Sequence, residues 1–332
     1  MEGAVGEYMA RALVRLGMVR WCAGRDSGRA TILMYHGVTD RAPDQLDLPR
    51  LHLNVDLFRQ QMAHLAERYN VMPLRELVGQ LLQGDRIGPR TVCLTFDDGY
   101  SNVVRCALPI LREFRLPATL FVVTGLVRQR NMGWWDQIAR VARMLPEPLK
   151  VSIAGEHILF GPDTLPQALE RLKAVPDAER ERALAVILGA VPDLGPPGDS
   201  RMATEEELRA WIGDGMSVGS HTVTHPILTR LTPQALGHEL ADSRSQLEAM
   251  TGQPVDLLCY PNGTVGDFDA SVVEAARTAG YEAAVTTIGG QVTAESDLMA
   301  LRRYDGNTSL VRLQARVSGA EPALRRLLGR SD

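Results

Sequence analysis

Short apolar runs alternating with longer amphipathic segments restrict this chain most. Thr31–Tyr35 (TILMY), Thr91–Phe96 (TVCLTF), Ala118–Val123, Ser217–Ser220, Val255–Cys259 and Glu282–Thr286 have the length of strands. Helical patterns fall between them. Asn54 is placed to cap a helix over 55–69, with Val55, Phe58, Met62 and Leu65 on one face. Further helices are expected over 74–82 (closed by Gly84), 101–114, 233–250 and 268–279. Buried strands that alternate with helices build βα units and a parallel sheet. Six or seven such units favour a barrel over an open sheet, and a barrel carries its chemistry at the C-terminal ends of its strands.

Residues 130–205 break this rhythm. They hold Trp134-Trp135, a hairpin-like stretch near 151–160, two charged helical stretches over 165–190 and the loop Pro192–Gly198. Two readings stand for this insertion: surface decoration, or a lid over the substrate groove. The expected division is an N-terminal helical extension (1–29), a barrel (30–305) carrying the insertion, and a C-terminal helix (306–332).

With 332 residues, 45% of them hydrophobic, the chain can bury a large core. Its 36 basic and 40 acidic residues give a net charge of −4 and no basic footprint for nucleic acid. The longest uncharged apolar stretch, Leu116–Val127, falls short of the ~20 residues that span a bilayer. The cysteines Cys22, Cys93, Cys106 and Cys259 form no CxxC pair, which disfavours a cysteine zinc site, and a disulfide framework is not expected at this size. The N-terminus shows no signal peptide, so a cytoplasmic protein is the direct reading. Residues 8–21 set an apolar face against arginines. They read either as a helix packed on the domain or as one lying on an anionic membrane surface at the inner face. The sequence carries no mark of oligomeric state.

Two clusters carry candidate chemistry. Asp97-Asp98-Gly99 follows an apolar strand, where adjacent carboxylates repel and are costly to desolvate. His221 and His225 follow another strand, at a spacing that places two imidazoles on one face of a helical turn. Two histidines and one Asp form a metal triad with open positions, and the second Asp is left as a general base. Together they point to metal-assisted hydrolysis.

Thr95–Tyr100 (TFDDGY) and Ser220–Pro226 (SHTVTHP) resemble, in order and spacing, the first two signature motifs of the polysaccharide deacetylase family, the NodB-homology enzymes of carbohydrate esterase family 4. The resemblance covers about residues 30–305. It implies a distorted (β/α) barrel of about seven strands that removes N-acetyl, sometimes O-acetyl, groups from sugars, as from exopolysaccharides. It further implies Asp97 as base, with Asp98, His221 and His225 holding a divalent metal: zinc first, then cobalt or nickel. The family's third motif has an arginine before Pro-Tyr, where this chain has Leu258-Cys259-Tyr260-Pro261-Asn262-Gly263. Tyr260 or a neighbouring backbone N–H is then the candidate oxyanion donor, Pro261 and Asn262 are candidate substrate contacts, and Arg303 is the candidate replacement for the arginine. The family's late histidine is missing as well. His36, ending the first strand, is its candidate replacement as general acid, as in members that look circularly permuted. Trp134 and Trp135 are candidates to stack on sugar, one at the groove and one in the core. His52, His64, His157 and His238 read as structural. Two rival functions stand beside an N-acetylated saccharide substrate: a carbohydrate-binding protein that has lost catalysis, and a small-amide hydrolase on the same barrel.

Overall fold

The computed structural model describes residues 2–23, 28–129 and 131–327; the remaining positions of the ranges 1–29, 130–205 and 306–332 lie outside the described residues. In chain order the strands are β1 (Arg29–Tyr35), β2 (Gly37–Thr39), β3 (His52–Asn54), β4 (Asn70–Val71), β5 (Thr91–Phe96), β6 (Thr119–Val122), β7 (Leu149–Ile153), β8 (Glu156–Phe160), β9 (Ser217–Ser220), β10 (Leu257–Cys259), β11 (Ala283–Val285), β12 (Val292–Thr293) and β13 (Tyr304–Asp305). The main sheet runs β11-β10-β9-β6-β5-β1-β12, with β13 beside β1 and β4 beside β5. Apart from β12, which is antiparallel to β1, the neighbours in it are parallel.

The sheet curls into a distorted barrel. The segment 301–305 spans the gap between its ends. Leu301 exchanges backbone hydrogen bonds with the β11 side (Leu301 N–H to Ala284 O, 2.9 Å; Thr286 N–H to Leu301 O, 2.9 Å). Three residues later Tyr304 pairs with Leu33 of β1. Arg303 therefore sits on the seam.

Alternate strand residues serve different cores, as the pleat requires. Leu33, Tyr35, Leu94, Phe96, Leu120 and Leu258 pack with Phe58, Met62 and Leu65 of the helix Val55–Arg68 and with Leu240 and Leu247 of Pro233–Thr251. Ile32, Cys93, Phe121, Leu257 and Cys259 face the other way, toward Leu74, Leu77 and Val78 of the helix Leu74–Gln83. Gly219 makes room there, because a Cβ at that position would lie 2.4 Å from the Phe121 ring.

Between β6 and β9 the chain builds a core of its own. The helix Trp134–Met144, the β7–β8 hairpin, and the helices Leu165–Ala174 and Asp177–Gly189 bury Ile138, Val141, Val151, Phe160, Leu172 and Ile187 together. At the N-terminus, Ala10 and Leu13 pack against Ala315 and Ala320, while Tyr8, Val14 and Leu16 remain exposed. No described helix is long and apolar enough to cross a membrane.

The last turn before the C-terminal helices is tied to β1 by one buried amide. Gln61 accepts from the Tyr35 hydroxyl (2.8 Å) and donates to the carbonyls of Gly306 (3.1 Å) and Thr308 (2.7 Å). Gln61→Leu orphans the buried Tyr35 hydroxyl and takes the amide donor from the half-buried Thr308 carbonyl, while the Gly306 carbonyl keeps the Thr308 N–H (2.8 Å), at about 1–3 kcal/mol for each group left unsatisfied. Urea unfolding should show a loss of about 3 kcal/mol, and a loss below ~0.5 kcal/mol would contradict this role.

Candidate active site

The site forms where strands end together. Tyr35 pairs with Phe96, so His36 and Asp97 leave the sheet side by side. Val122 pairs with Ser220, which also pairs with Leu258, so His221 emerges beside Cys259. Asp98 adopts a left-handed backbone (φ 71°) and Gly99 follows it (φ 88°), which turns the chain sharply after β5.

The two histidines do not share a helical turn, contrary to the spacing argument. Residues 221–227 form a loop in which Thr222 (φ 68°) and His225 (φ 61°) are left-handed. Its partners explain why. The Glu239 carboxylate accepts from the N–H groups of Val223 (2.8 Å) and Thr224 (3.0 Å), and the Thr222 hydroxyl accepts from His225 N–H (3.0 Å). The turn after β6 docks alongside, with Gly125 N–H donating to Val223 O (2.9 Å). A Cβ on Gly125 would meet that oxygen at 2.5 Å. Glu239 escaped sequence reading because a carboxylate on an amphipathic helix carries no distinguishing pattern.

Asp98, His221 and His225 converge, with ligand atoms all within 4.8 Å of one another. His221 Nε2 and His225 Nε2 stand 3.5 and 3.6 Å from Asp98 Oδ1. These distances are long for hydrogen bonds. They suit a shared ion: ligand atoms about 2.0–2.1 Å from a tetrahedral metal are roughly 3.4 Å apart. His221 Nδ1 lies 2.7 Å from the Cys259 carbonyl, an acceptor only, so Nδ1 carries the proton and Nε2 faces Asp98. Burial and the neighbouring His221 push the His225 pKa down to about 3, which keeps its lone pair free. Burial opposes charge on His221, yet Cys259 and the carboxylates of Asp98 and Asp97 hold its pKa well above the ordinary value. The donor set fits a divalent metal that would take over that positive charge.

Arg303 reaches Asp97 from the seam. Its Nη1 and Nη2 donate to the two Asp97 carboxylate oxygens at 2.8 and 2.7 Å. Nε donates to Thr286 O (2.8 Å), Nη1 also to the Thr95 hydroxyl (3.0 Å), and Nη2 also to Cys259 Sγ (3.2 Å). The five N–H bonds of the guanidinium are thus all engaged. Burial pushes the Asp97 pKa up, but Arg303 outweighs it and holds the carboxyl below its usual range. Arg303 thus reaches Asp97 from a distant part of the chain, and its guanidinium touches the Cys259 sulfur on the way.

These groups open into one cavity of about 760 Å³, lined by His36, Asp97, Asp98, His221, His225, Trp134, Trp135, Tyr260 and Asn262 among others. Three expectations change here. The Tyr260 hydroxyl donates to Met299 O (2.9 Å) and its backbone N–H to Val285 O (3.3 Å), so Tyr260 has no donor free for an oxyanion. The neighbouring Asn262 N–H has no acceptor among the described residues, and Asn262 lines the cavity in a left-handed conformation (φ 60°). Pro261 is buried and does not line the cavity. Nor do the tryptophans divide between groove and core: the buried Trp135 also reaches the cavity, its ring 4.6 Å from that of His225. Trp135 Nε1 donates to the Tyr100 hydroxyl (2.8 Å), which donates to the buried Asp136 carboxyl (2.7 Å). Tyr100 and Asp136 were not legible as site residues. His52 is buried within 3.0 Å of the Asn102 amide and stacks edge-on against Tyr100.

The sequence profile of polysaccharide deacetylases matches residues 85–152 and 185–284, half of the chain. The chain belongs to the polysaccharide deacetylase family. Family members are hydrolases acting on polysaccharide. YxkH of Bacillus subtilis, named for this family, is 24% identical over 284 residues, covering 85% of this chain and 73% of YxkH. The poly-beta-1,6-N-acetyl-D-glucosamine N-deacetylase of Escherichia coli is 28% identical over 127 residues, which span 33% of this chain but only 18% of that protein. The structure of the Streptococcus pyogenes deacetylase PplD in complex with acetate is similar in fold: TM-score 0.61 and 23% identity, over 87% of this chain and 98% of that one. The profile includes the deacetylase motif residues Asp97, Asp98, His221 and His225 but neither His36 nor Arg303.

The ion pair sets a pH test. The folded-state pKa of Asp97 lies below its unfolded value of about 3.9, so the pair's contribution is complete above about pH 4 and fades only as pH falls through the folded value. Arg303→Met leaves a buried, unpaired carboxylate, at a cost of about 3–5 kcal/mol. Its pKa then rises above the unfolded value, so stability should fall as pH rises. Urea midpoints in chelator at pH 4.5 and 8 should show the variant losing more relative to wild type at pH 8. A deficit equal at both values would contradict the pairing energetics.

Proposed function

We propose that this protein hydrolyses the N-acetyl amide of an amino sugar in an oligo- or polysaccharide. Asp98, His221 and His225 would hold a divalent metal, with zinc favoured over cobalt or nickel. The observation that carries this reading is a buried carboxylate, Asp97, clamped by Arg303 beside that ligand cluster in one open cavity. The relative named for poly-beta-1,6-N-acetyl-D-glucosamine supports an N-acetylglucosamine saccharide, as in exopolysaccharide.

A divalent ion on Asp98, His221 and His225 would supply Lewis acidity to the acetyl carbonyl and to water, so that a carboxylate as weakly basic as Asp97 would suffice to accept the water's proton. Arg303 fixes both Asp97 oxygens and keeps them ionised before reaction. The Asn262 N–H donates to the oxygen that gains negative charge. His36 gives a proton to the departing nitrogen. Water's oxygen bonds to the acetyl carbon, the C–N bond breaks, and acetate and a free amine leave. The Trp134 and Trp135 rings offer apolar faces to the sugar. The binding-only reading rested on the missing motif arginine and histidine. Arg303 on Asp97, and His36 in the cavity, favour the hydrolase over it.

The test is acetate release from N-acetylglucosamine oligomers, with protein stripped by chelator and resupplied with zinc or cobalt. Release should depend on metal. Asp97→Asn should keep the metal and lose about 10²–10⁴-fold in kcat, the usual share of general base catalysis. His225→Ala should lose both metal and turnover. Asp97→Asn retaining most of its activity would overturn the assignment of the base.

A further inference from the structure

The cavity is unevenly lined. On one side Asn262, Thr264 and Thr287 line it with polar groups, whose oxygens can accept although the threonine hydroxyls already donate to Asp267 and to the Asn262 carbonyl. Another part of the lining comes from two segments away from the barrel strand ends: the loop 46–51 and the region that starts the helix Leu165–Ala174. Its apolar members are Leu48, Leu51, Pro162, Leu165, Pro166 and Leu169, and the acids on the same stretch are both paired, Asp47 with Arg140 and Arg143 and Glu170 with Lys173. Leu165, Leu169 and Lys173 recur every fourth residue, so they form one stripe along the helix. This helix belongs to the separate core built between β6 and β9, and it lies in the stretch 153–184 that the family profile does not match.

Such a wall suits a saccharide poorly. Sugar hydroxyls need partners once buried, and Leu and Pro side chains supply none. It suits a hydrocarbon chain. Cations border it. Lys173, paired with Glu170 at 2.9 Å, lines the cavity. So does Arg180, nearly buried, held by Asp177 (2.8 Å) with its guanidinium 5.5 Å from the centre of the Trp134 ring. Arg50 lines it too and makes no ion pair among the described residues. Cations that share the lining with the apolar wall, Lys173 and Arg180 being close enough to act on His225, match an anion that joins a sugar to a hydrocarbon, as a phosphate ester does.

We infer that the substrate is an N-acetylated amino sugar carried on a hydrocarbon chain through a phosphate or diphosphate. The sugar lies at the cluster and the chain along the Leu165–Leu169 stripe. The inference rests on the deacetylase reading above and narrows its substrate class.

Acetate release by the zinc-loaded protein is compared on an N-acetylglucosamine pentamer, decyl N-acetylglucosaminide and the decyl diphosphate ester of N-acetylglucosamine, each below its micelle concentration. Relative to the pentamer, kcat/KM should rise at least tenfold for the decyl glycoside and again for the diphosphate. Lys173→Glu should erase about tenfold of the diphosphate's advantage over the decyl glycoside. With wild-type protein alone, decyl phosphate should inhibit competitively at lower concentration than the deacetylated pentamer. Equal or faster turnover of the pentamer, with no inhibition by decyl phosphate, overturns the lipid assignment and leaves the deacetylase standing. Acetate from none of the substrates overturns the deacetylase reading, and this inference falls with it.

Discussion

The buried pair of Arg303 and Asp97 joins the fold to the site. A guanidinium this deep is tolerable only because every N–H has an acceptor and the carboxylate faces it in bidentate geometry. Those acceptors come from β5 and the residue just after it, from the end of β10 and from the chain just after β11, while Arg303 itself lies on the segment that closes the sheet onto β1. The arrangement is complete only when the barrel is closed. Closure and the preparation of Asp97 are therefore one event.

Backbone strain gathers at the same place. Among the described residues, Asp98, Thr222, His225 and Asn262 hold left-handed conformations around the cavity. Each costs on the order of 1–3 kcal/mol for a residue with a side chain. The hydrogen bonds from Val223 and Thr224 to Glu239, and the docking of Gly125 on Val223, hold two of them in place. Nearly buried side chains pack beneath, with Trp135, Tyr100 and Asp136 backing His225. The ligand cluster is thus set rigidly by its surroundings, as a site that binds a metal at fixed distances requires.

The barrel was legible because its strands are buried on both faces and its helices keep a clean period, so Thr91–Phe96 and the helix beginning at Val55 read directly from apolar pattern. The Asp-Asp and His-x-x-x-His motifs were legible because their residue types and spacing are unusual just after buried strands. Local conformation was less so. The histidine spacing suggested a helical turn, and tertiary hydrogen bonds imposed a loop. Tyr260 looked like an oxyanion group, but strand pairing and Met299 use both of its donors. Gln61, Glu239, Tyr100 and Asp136 act through partners from 15 to 247 residues away, and no local pattern encodes such distances.

A double-mutant cycle on acetate release by the metal-loaded protein tests the coupling of seam to base most directly. If Arg303 acts through Asp97, Arg303→Met and Asp97→Asn each lower kcat/KM steeply, and the double variant falls no more than about threefold below Asp97→Asn alone. Losses that multiply, or near wild-type turnover in Arg303→Met, would contradict that coupling.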